Sequence, residues 1–434
     1  MSARTERFLS APILPTLLRL SAPGVLLVIF QSMVSVGDTY FVGRLGTAPL
    51  AGLALVFPLI MLLQMTSAGA MGGGVSSAIA RALGRGDAAT ARRLVVHALV
   101  IAGGMGLAFT LLVLLFGKML YRLLGGTGET LDQALTYSNV VFAGALMVWL
   151  ANTLSSILRG SGNMHTPALA LIGGAVIHLP LCGTLVPRIG IVGAAIAYVT
   201  TFGLAALAMG IVVWRSNLLR PRAGDFALEW PLFREILRVG ALSSLNALQT
   251  VLTAVIVTGF VGRHGPAALA GYGVGLRLEL LQIPLVFAVG QAMVVLVGTN
   301  IGAGRGDRAK RIAWTGALVA ASISLVIGFS AAAVPLAWVG LFSDDAAVLE
   351  NGADYLRTVA PFYPLLAAGI ALYFASQGAG RVLRPMLAGT VRLAVVITGG
   401  MAAATLGGVF AVIATGIAVY GVLTLSFIAR DRWN

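Results

Sequence analysis

The sequence predicts an all-α protein that crosses a membrane many times, with twelve transmembrane helices in two parallel six-helix repeats around a central cleft. Three observations carry this: the composition, a series of apolar segments, and a chain that resembles itself at half its length. Hydrophobic residues make up 58% of the 434 and charged residues only 10%, against about 25% charged in soluble domains. Mean hydropathy is +0.95. Glycine, at 55 residues, suits helices whose backbones pack closely where lipid gives no hydrophobic drive for association.

Twelve apolar segments follow in order, near 14–42, 50–79, 95–116, 136–158, 166–187, 191–214, 239–261, 268–298, 312–340, 356–376, 388–407 and 408–428. With both termini and the even-numbered connections on one side, that side holds 21 of the 29 Lys and Arg and the other holds 6. The positive-inside rule makes the richer side the cytoplasm. The net charge of +14 is therefore read as a topology signal, and no nucleic acid is expected as a partner. The basic N-terminus precedes an apolar stretch longer than the core of a signal peptide, so the first span is expected to stay.

The repeat organises the chain. Phe41-Val42-Gly43-Arg44 recurs as Phe260-Val261-Gly262-Arg263, and Leu50-Ala51-Gly52 as Leu269-Ala270-Gly271. Gly84-Arg85-Gly86-Asp87 recurs as Gly304-Arg305-Gly306-Asp307, and Gly160-Ser161-Gly162 matches Gly378-Ala379-Gly380. Six spans per half is an even number, so both halves start on the same side. The predicted lobes are residues 1–217 and 218–434, joined by a cytoplasmic connector from Arg215 to Arg238. The Gly-Arg-Gly-Asp segments read as tight turns whose Asp87 and Asp307 cap the helix that follows.

Polar groups at membrane depth are the candidates for function. An ionised carboxylate in hydrocarbon is costly unless it faces a wet cavity or takes up a proton, and Asp38 lies within the first apolar segment. Gln31, Ser35 and Asp38 follow i, i+4, i+7 spacing and form one polar stripe. Asp38 aligns with Val257 in the second half, so the fold itself does not demand an acid there. The matching helix of the second half carries Asn246 and Thr250 with no charge, while the next span holds Arg277 and Glu279, which either line the cleft or bond to another helix. Residues two apart do not share a helix face, so these two are not expected to pair simply with each other. Asn152, His178, Gln64, Tyr198 and Thr200 are further polar groups at depth, His178 reading as a helix–helix contact or as a ligand. Pro23, Pro58, Pro180, Pro284, Pro361 and Pro364 fall inside predicted spans and mark kinks or hinges.

No enzyme is expected: there is no His-Glu-x-x-His, no Ser/His/Asp set among four histidines, and a single cysteine leaves no thiol cluster for a metal. No cofactor is expected either.

The chain resembles the multidrug and toxic compound extrusion (MATE) transporters. Val36-Gly37-Asp38-Thr39 with Val42-Gly43, the segment Ala80 to Arg93, Leu158-Arg159-Gly160-Ser161-Gly162, Gly193-Ala194-Ala195-Ile196-Ala197 and Gln377-Gly378-Ala379-Gly380-Arg381 carry the resemblance. It implies two six-helix lobes around a V-shaped cleft and an antiporter that exports amphiphilic or cationic organic compounds in exchange for H+ or Na+ by alternating access. It also implies ion coupling at Asp38, bending of the first helix at Pro23 and a cavity position at Gln31. The sequence departs from one branch of the family where Ala175 and Leu179 replace an Asn and an Asp of the fifth helix, and Tyr198 stands where a Thr is usual. A sodium site gathers several oxygen ligands, and with few carboxylates present H+ is favoured over Na+ at Asp38. The expected setting is a bacterial-type cytoplasmic membrane, with both termini cytoplasmic and the protein a monomer in the lipid bilayer. A lipid or lipid-linked oligosaccharide flippase of the same superfamily is the alternative, and a passive channel a more distant one.

Overall fold

A computed structural model describes residues 3–431 and 433. In chain order the helices are α1 (Ala3–Ser10), α2 (Ile13–Gly43), α3 (Thr47–Gln64), α4 (Gly72–Gly84), α5 (Ala88–Leu123), α6 (Gly128–Ala143), α7 (Ala145–Gly160), α8 (His165–Ile189) and α9 (Ile191–Arg215). They continue with α10 (Trp230–Gly262), α11 (Pro266–Gly302), α12 (Gly306–Ala333), α13 (Pro335–Val339), α14 (Ala346–Val359), α15 (Tyr363–Ala379), α16 (Leu383–Ala402) and α17 (Leu406–Arg430). Among the described residues there is no strand. Eleven spans are long and apolar enough to cross a membrane, and α6 with α7, bent by 49°, makes a twelfth. This is a multi-pass membrane protein; helices are the form in which each backbone N–H and C=O finds a partner inside lipid.

The chain packs as two units, one spanning Ala22–Gly240 and the other joining the residues up to Ser21 to those from Ala241 onward. The division falls inside α2 and α10, whereas the sequence boundary at 217/218 lies in the connector. Local contacts explain the difference. In the first unit the connector is held by Arg92, whose Nε donates to Asp225 Oδ2 at 3.0 Å, by the Arg93–Glu229 ion pair, and by Arg81–Glu235 at 3.1 Å. His97 Nε2 lies 2.8 Å from the backbone N–H of Glu229 and so must accept, which leaves Nδ1–H to donate to the Arg93 carbonyl at 2.7 Å. In the second unit the carbonyls at the end of α1 accept from Asn300 Nδ2 (Phe8, 3.2 Å), Arg305 (Leu9, 2.9 Å) and Arg308 (Ala11), an amide and two cations meeting the negative end of a helix.

The internal repeat is visible as recurring close packing. A Cβ on Gly52 would stand 2.9 Å from the backbone N of Ala134, and one on its counterpart Gly271 would stand 2.7 Å from that of Gly352. Both positions let two helix backbones touch, the role small residues take in membranes.

Two expectations are corrected. Asp87 caps α5 by accepting from Thr90 N at 2.9 Å, but Asp307 lies inside the first turn of α12, whose cap position is Arg305. The turn glycines with left-handed φ are Gly86 (78°) and Gly304 (70°), so the two turns correspond two residues away from the sequence match. Pro361 and Pro364 lie inside the span Ala346–Ala379, as expected, at the first turns of a short 3-10 segment and of α15 that interrupt its α-helix, where a missing N–H costs nothing. The last two spans part at Ala403–Thr405, earlier than expected, because the Thr405 hydroxyl caps α17 by accepting from Gly408 N at 3.1 Å.

Candidate functional site

Asp38 sits near the end of α2, the least buried of the spans, yet its side chain is only 14% exposed because it turns onto α8. Oδ1 lies 2.7 Å from His178 Nε2 and 3.4 Å from Cys182 Sγ, and the sulfur is 3.4 Å from the same Nε2. His178 and Cys182 are four residues apart and share one helix face. His178 is 1% exposed. A carboxylate only accepts, so with Asp38 ionised the His178 Nε2 carries the proton and the Cys182 thiol donates the second bond. The approach that makes this possible is at Gly37, where a Cβ would stand 2.2 Å from Leu179 Cδ2.

Around this pair the first unit is aromatic and amide-rich. Tyr137 on α6 and Tyr198 on α9 lie within electrostatic reach of Asp38. Tyr198 Oη accepts from Gln64 Nε2 at 2.8 Å, Gln64 Oε1 accepts from Asn152 Nδ2 at 2.9 Å, and Asn152 also donates to Ser67 Oγ at 2.8 Å. Ser67 lies in a π-helical stretch, Met65–Met71, between α3 and α4. The hydroxyls of Thr66 and Ser67 bond back to the Leu62 and Leu63 carbonyls at 2.7 and 2.6 Å, which satisfies groups the wider helical turn would strand. Its counterpart in the second half, within α11, is continuous α-helix.

The repeat serves as an internal control. At the matching offsets, Asp38, His178 and Cys182 correspond to Val257, Val396 and Gly400; both valines are buried in an apolar cluster, and a Cβ on Gly400 would stand 2.3 Å from the Phe260 ring. At these three positions the matching crossing has no polar group, and α10 and α16 are joined elsewhere, by Gln249 Nε2 donating to Thr390 Oγ1 at 2.8 Å, so the triad is not something the fold requires.

The other sequence candidates are dispersed. Gln31, Ser35, Thr200 and Thr250 are exposed; Thr250 bonds the Asn246 carbonyl at 3.0 Å, and half-buried Asn246 faces Gly389. Pro23 is buried within α2. Of the stripe Gln31–Ser35–Asp38, only Asp38 reaches a neighbouring helix through its side chain. Glu279 is buried and accepts from Tyr355 Oη at 3.2 Å, with Arg392 as a cationic neighbour. Arg277 is exposed and stacks 5.1 Å over Phe342, so Arg277 and Glu279 do not meet. Sequence reasoning missed Tyr137 and the role of Cys182; the i, i+4 spacing of His178 and Cys182 was the available signal for the latter. A second polar knot, Gln377 Nε2 to Ser243 Oγ and Tyr373 Oη, both at 2.9 Å, was also missed.

Outside the spans, the connector carboxylate Asp225 is opposed by burial, which pushes its pKa up, but the backbone N–H of Arg222 at 2.8 Å and the Arg92 guanidinium outweigh this and hold it below the usual carboxylate value. The Thr90 hydroxyl, followed by the Thr90 N–H, likewise holds Asp87 below the usual carboxylate value.

Comparison with known proteins agrees with this architecture. The MatE family model matches residues 23–184 and 243–401, and the gap between them holds the connector. An FAD transporter of Shewanella oneidensis is 28% identical over 383 residues, covering 85% of this chain and 82% of that protein. The multidrug export protein MepA of Staphylococcus aureus is 23% identical over 441 residues, covering 98% and 96%. A MOP-superfamily transporter from Pyrococcus furiosus superimposes with a TM-score of 0.91 at 25% identity, over 99% of this chain and 98% of that one. A MATE transporter in its bent conformation gives 0.92 at 24% identity, over 99% and 97%, a likeness of fold. With both repeats matched by one family model and the fold shared along the whole chain, this protein belongs to the MatE family of membrane transporters and is not an enzyme.

Proposed function

We propose that the protein exports amphiphilic or cationic organic compounds in exchange for protons, and that the Asp38–His178 pair is the proton site. The carrying observation is the 2.7 Å contact between a carboxylate and an imidazole inside an apolar bundle. The groups facing Asp38 are His178 and Cys182 from α8, Tyr137 from α6 and Tyr198 from α9. Nitrogen and sulfur donors serve Na+ poorly, since hard cations take six to eight or so oxygen ligands, and this favours H+ over Na+.

In this reading the cycle starts with Asp38 ionised and α2 held against α8 by charge-assisted bonds. A proton arriving from outside neutralises the carboxylate and turns those bonds into neutral ones. Charge-assisted bonds contribute about 1.5–3 kcal/mol and neutral ones about 0.5–1.5, so for the 2.7 Å bond to His178 alone the hold weakens by roughly 1–1.5 kcal/mol, a five- to tenfold change in population. Helix α2, sparsely buried and carrying Pro23, then bends or shifts and tips the two lobes toward the state that releases cargo. The protein works in this reading as a monomer in a bacterial-type cytoplasmic membrane, with both termini in the cytoplasm. The Shewanella relative brings flavin dinucleotides among the compounds to be screened.

The test is substrate-driven proton release from purified protein, with and without Na+. Release that is unaffected by Na+ and absent in Asp38→Asn supports the proposal. Release that survives in Asp38→Asn, or that requires Na+, refutes it.

A further inference from the structure

The proton site brings together an oxygen, a nitrogen and a sulfur, each from a residue type that ligates metals, with the three donor atoms all within 4.8 Å of one another. Tetrahedral Zn2+ holds such ligands at about 2.0–2.3 Å, which sets ligand–ligand separations of about 3.4–3.6 Å. Two of the three separations here are already 3.4 Å. The third, Asp38 to His178 at 2.7 Å, has to open by about 0.7 Å to reach that range, and it is the one now bridged by a hydrogen. A metal ion would take the place of that bridging proton.

We propose that a borderline or soft divalent cation, with Zn2+ and Cd2+ as the test ions, binds Asp38, His178 and Cys182 and arrests transport. His178 and Cys182, one helical turn apart on α8, form a chelating pair that needs no rearrangement of their own helix. Asp38 closes the site from α2, and its partly open side leaves a fourth position for water. The charges balance: a divalent ion, the Asp38 carboxylate, a Cys182 thiolate and a neutral His178 sum to zero, the state an apolar bundle tolerates best. Binding releases the thiol proton, while the proton on His178 Nε2 passes to Nδ1 so that the imidazole stays neutral, and affinity rises with pH. An ion tying α2 to α8 blocks both proton uptake and helix movement. The arrest rests on the proton-site reading given above, and the binding does not.

Cys182 is the only cysteine in the chain, so thiolate-to-cadmium charge-transfer absorption of the purified full-length protein reports this position alone. The expected result is a band saturating at one equivalent of Cd2+ with release of about one proton. The band disappears in Cys182→Ser, and its midpoint weakens at least about tenfold in His178→Gln. Should Cys182→Ser fail to fold, protection of wild-type Cys182 from a maleimide by Cd2+, lost in His178→Gln, answers the same question. No band and no protection in protein that still exports substrate overturns the metal site and leaves proton coupling standing. A saturating band with undiminished export overturns the arrest and counts against Asp38 as the coupling group.

Discussion

Asp38→Asn separates coupling from binding and is the decisive perturbation. Asparagine keeps an oxygen that accepts from His178 Nε2, so the 2.7 Å contact survives as a neutral bond. The cost is the difference between charge-assisted and neutral hydrogen bonding, about 1–1.5 kcal/mol, which changes the balance of conformations five- to tenfold. The loss of coupling is of another kind, because an amide has no proton to exchange in the working range. In proteoliposomes with an imposed pH gradient and a fluorescent organic cation, uphill accumulation by the variant should fall to the level seen without a gradient. Downhill exchange of the same cation should stay within about tenfold of wild type. Gradient-driven accumulation at the wild-type level in Asp38→Asn would refute the reasoning. Combined with His178→Gln, the two changes should couple by about 0.5–3 kcal/mol in stability, as touching residues do; simple additivity would show that the contact carries no energy.

Glu279 offers the contrasting case: Glu279→Gln keeps an acceptor for Tyr355 and should leave pH-driven transport intact, while Glu279→Ala strands that buried hydroxyl and opens a void, costing about 2–4 kcal/mol in a detergent melt. Loss of coupling in the Gln variant would move the proton site into the second unit. Asp225→Asn should loosen the connector, with trypsin cleavage after Arg222 rising at least about fivefold as the bond to Arg92 weakens; an unchanged rate would deny the clamp. Because the folded pKa of Asp225 is depressed from 3.8, its contribution is present above that value and drains away as pH falls through the lower folded value, so hydrogen-exchange protection of the wild-type connector should drop only below about pH 4. At Gly74 an added Cβ would stand 2.7 Å from the Ile236 carbonyl and 3.1 Å from the Gly240 nitrogen. Both are backbone atoms that cannot rotate away, and Gly74→Ala should cost about 1–3 kcal/mol; a melt equal to wild type would argue against this packing.

Much of the fold was legible from the chain because its causes are local. Twenty or so apolar residues in a row declare a span, the excess of Arg and Lys on one set of loops implies an orientation, and recurring blocks such as Phe41-Val42-Gly43-Arg44 and Phe260-Val261-Gly262-Arg263 declare a duplicated bundle. Asp38 stood out for the same reason, since an ionisable group in an apolar helix needs a physical excuse that does not depend on its neighbours. Its partners were not legible. His178 and Cys182 lie 140 and 144 positions away, and periodicity states only that they share a face, never which helix that face meets. That was decided by the crossing of α2 and α8, where Gly37 admits Leu179, and by the other helices that hold both in place. The same limit explains Asp307, which matched Asp87 as text but stands in a different register of its turn, and the connector, which pairs with Arg92 and Arg93 instead of dividing the lobes evenly. Sequence determined which segments cross the membrane and which residue is anomalous there; only tertiary packing, a non-local sum over many helix faces, decided that the anomaly is a carboxylate, an imidazole and a thiol held together.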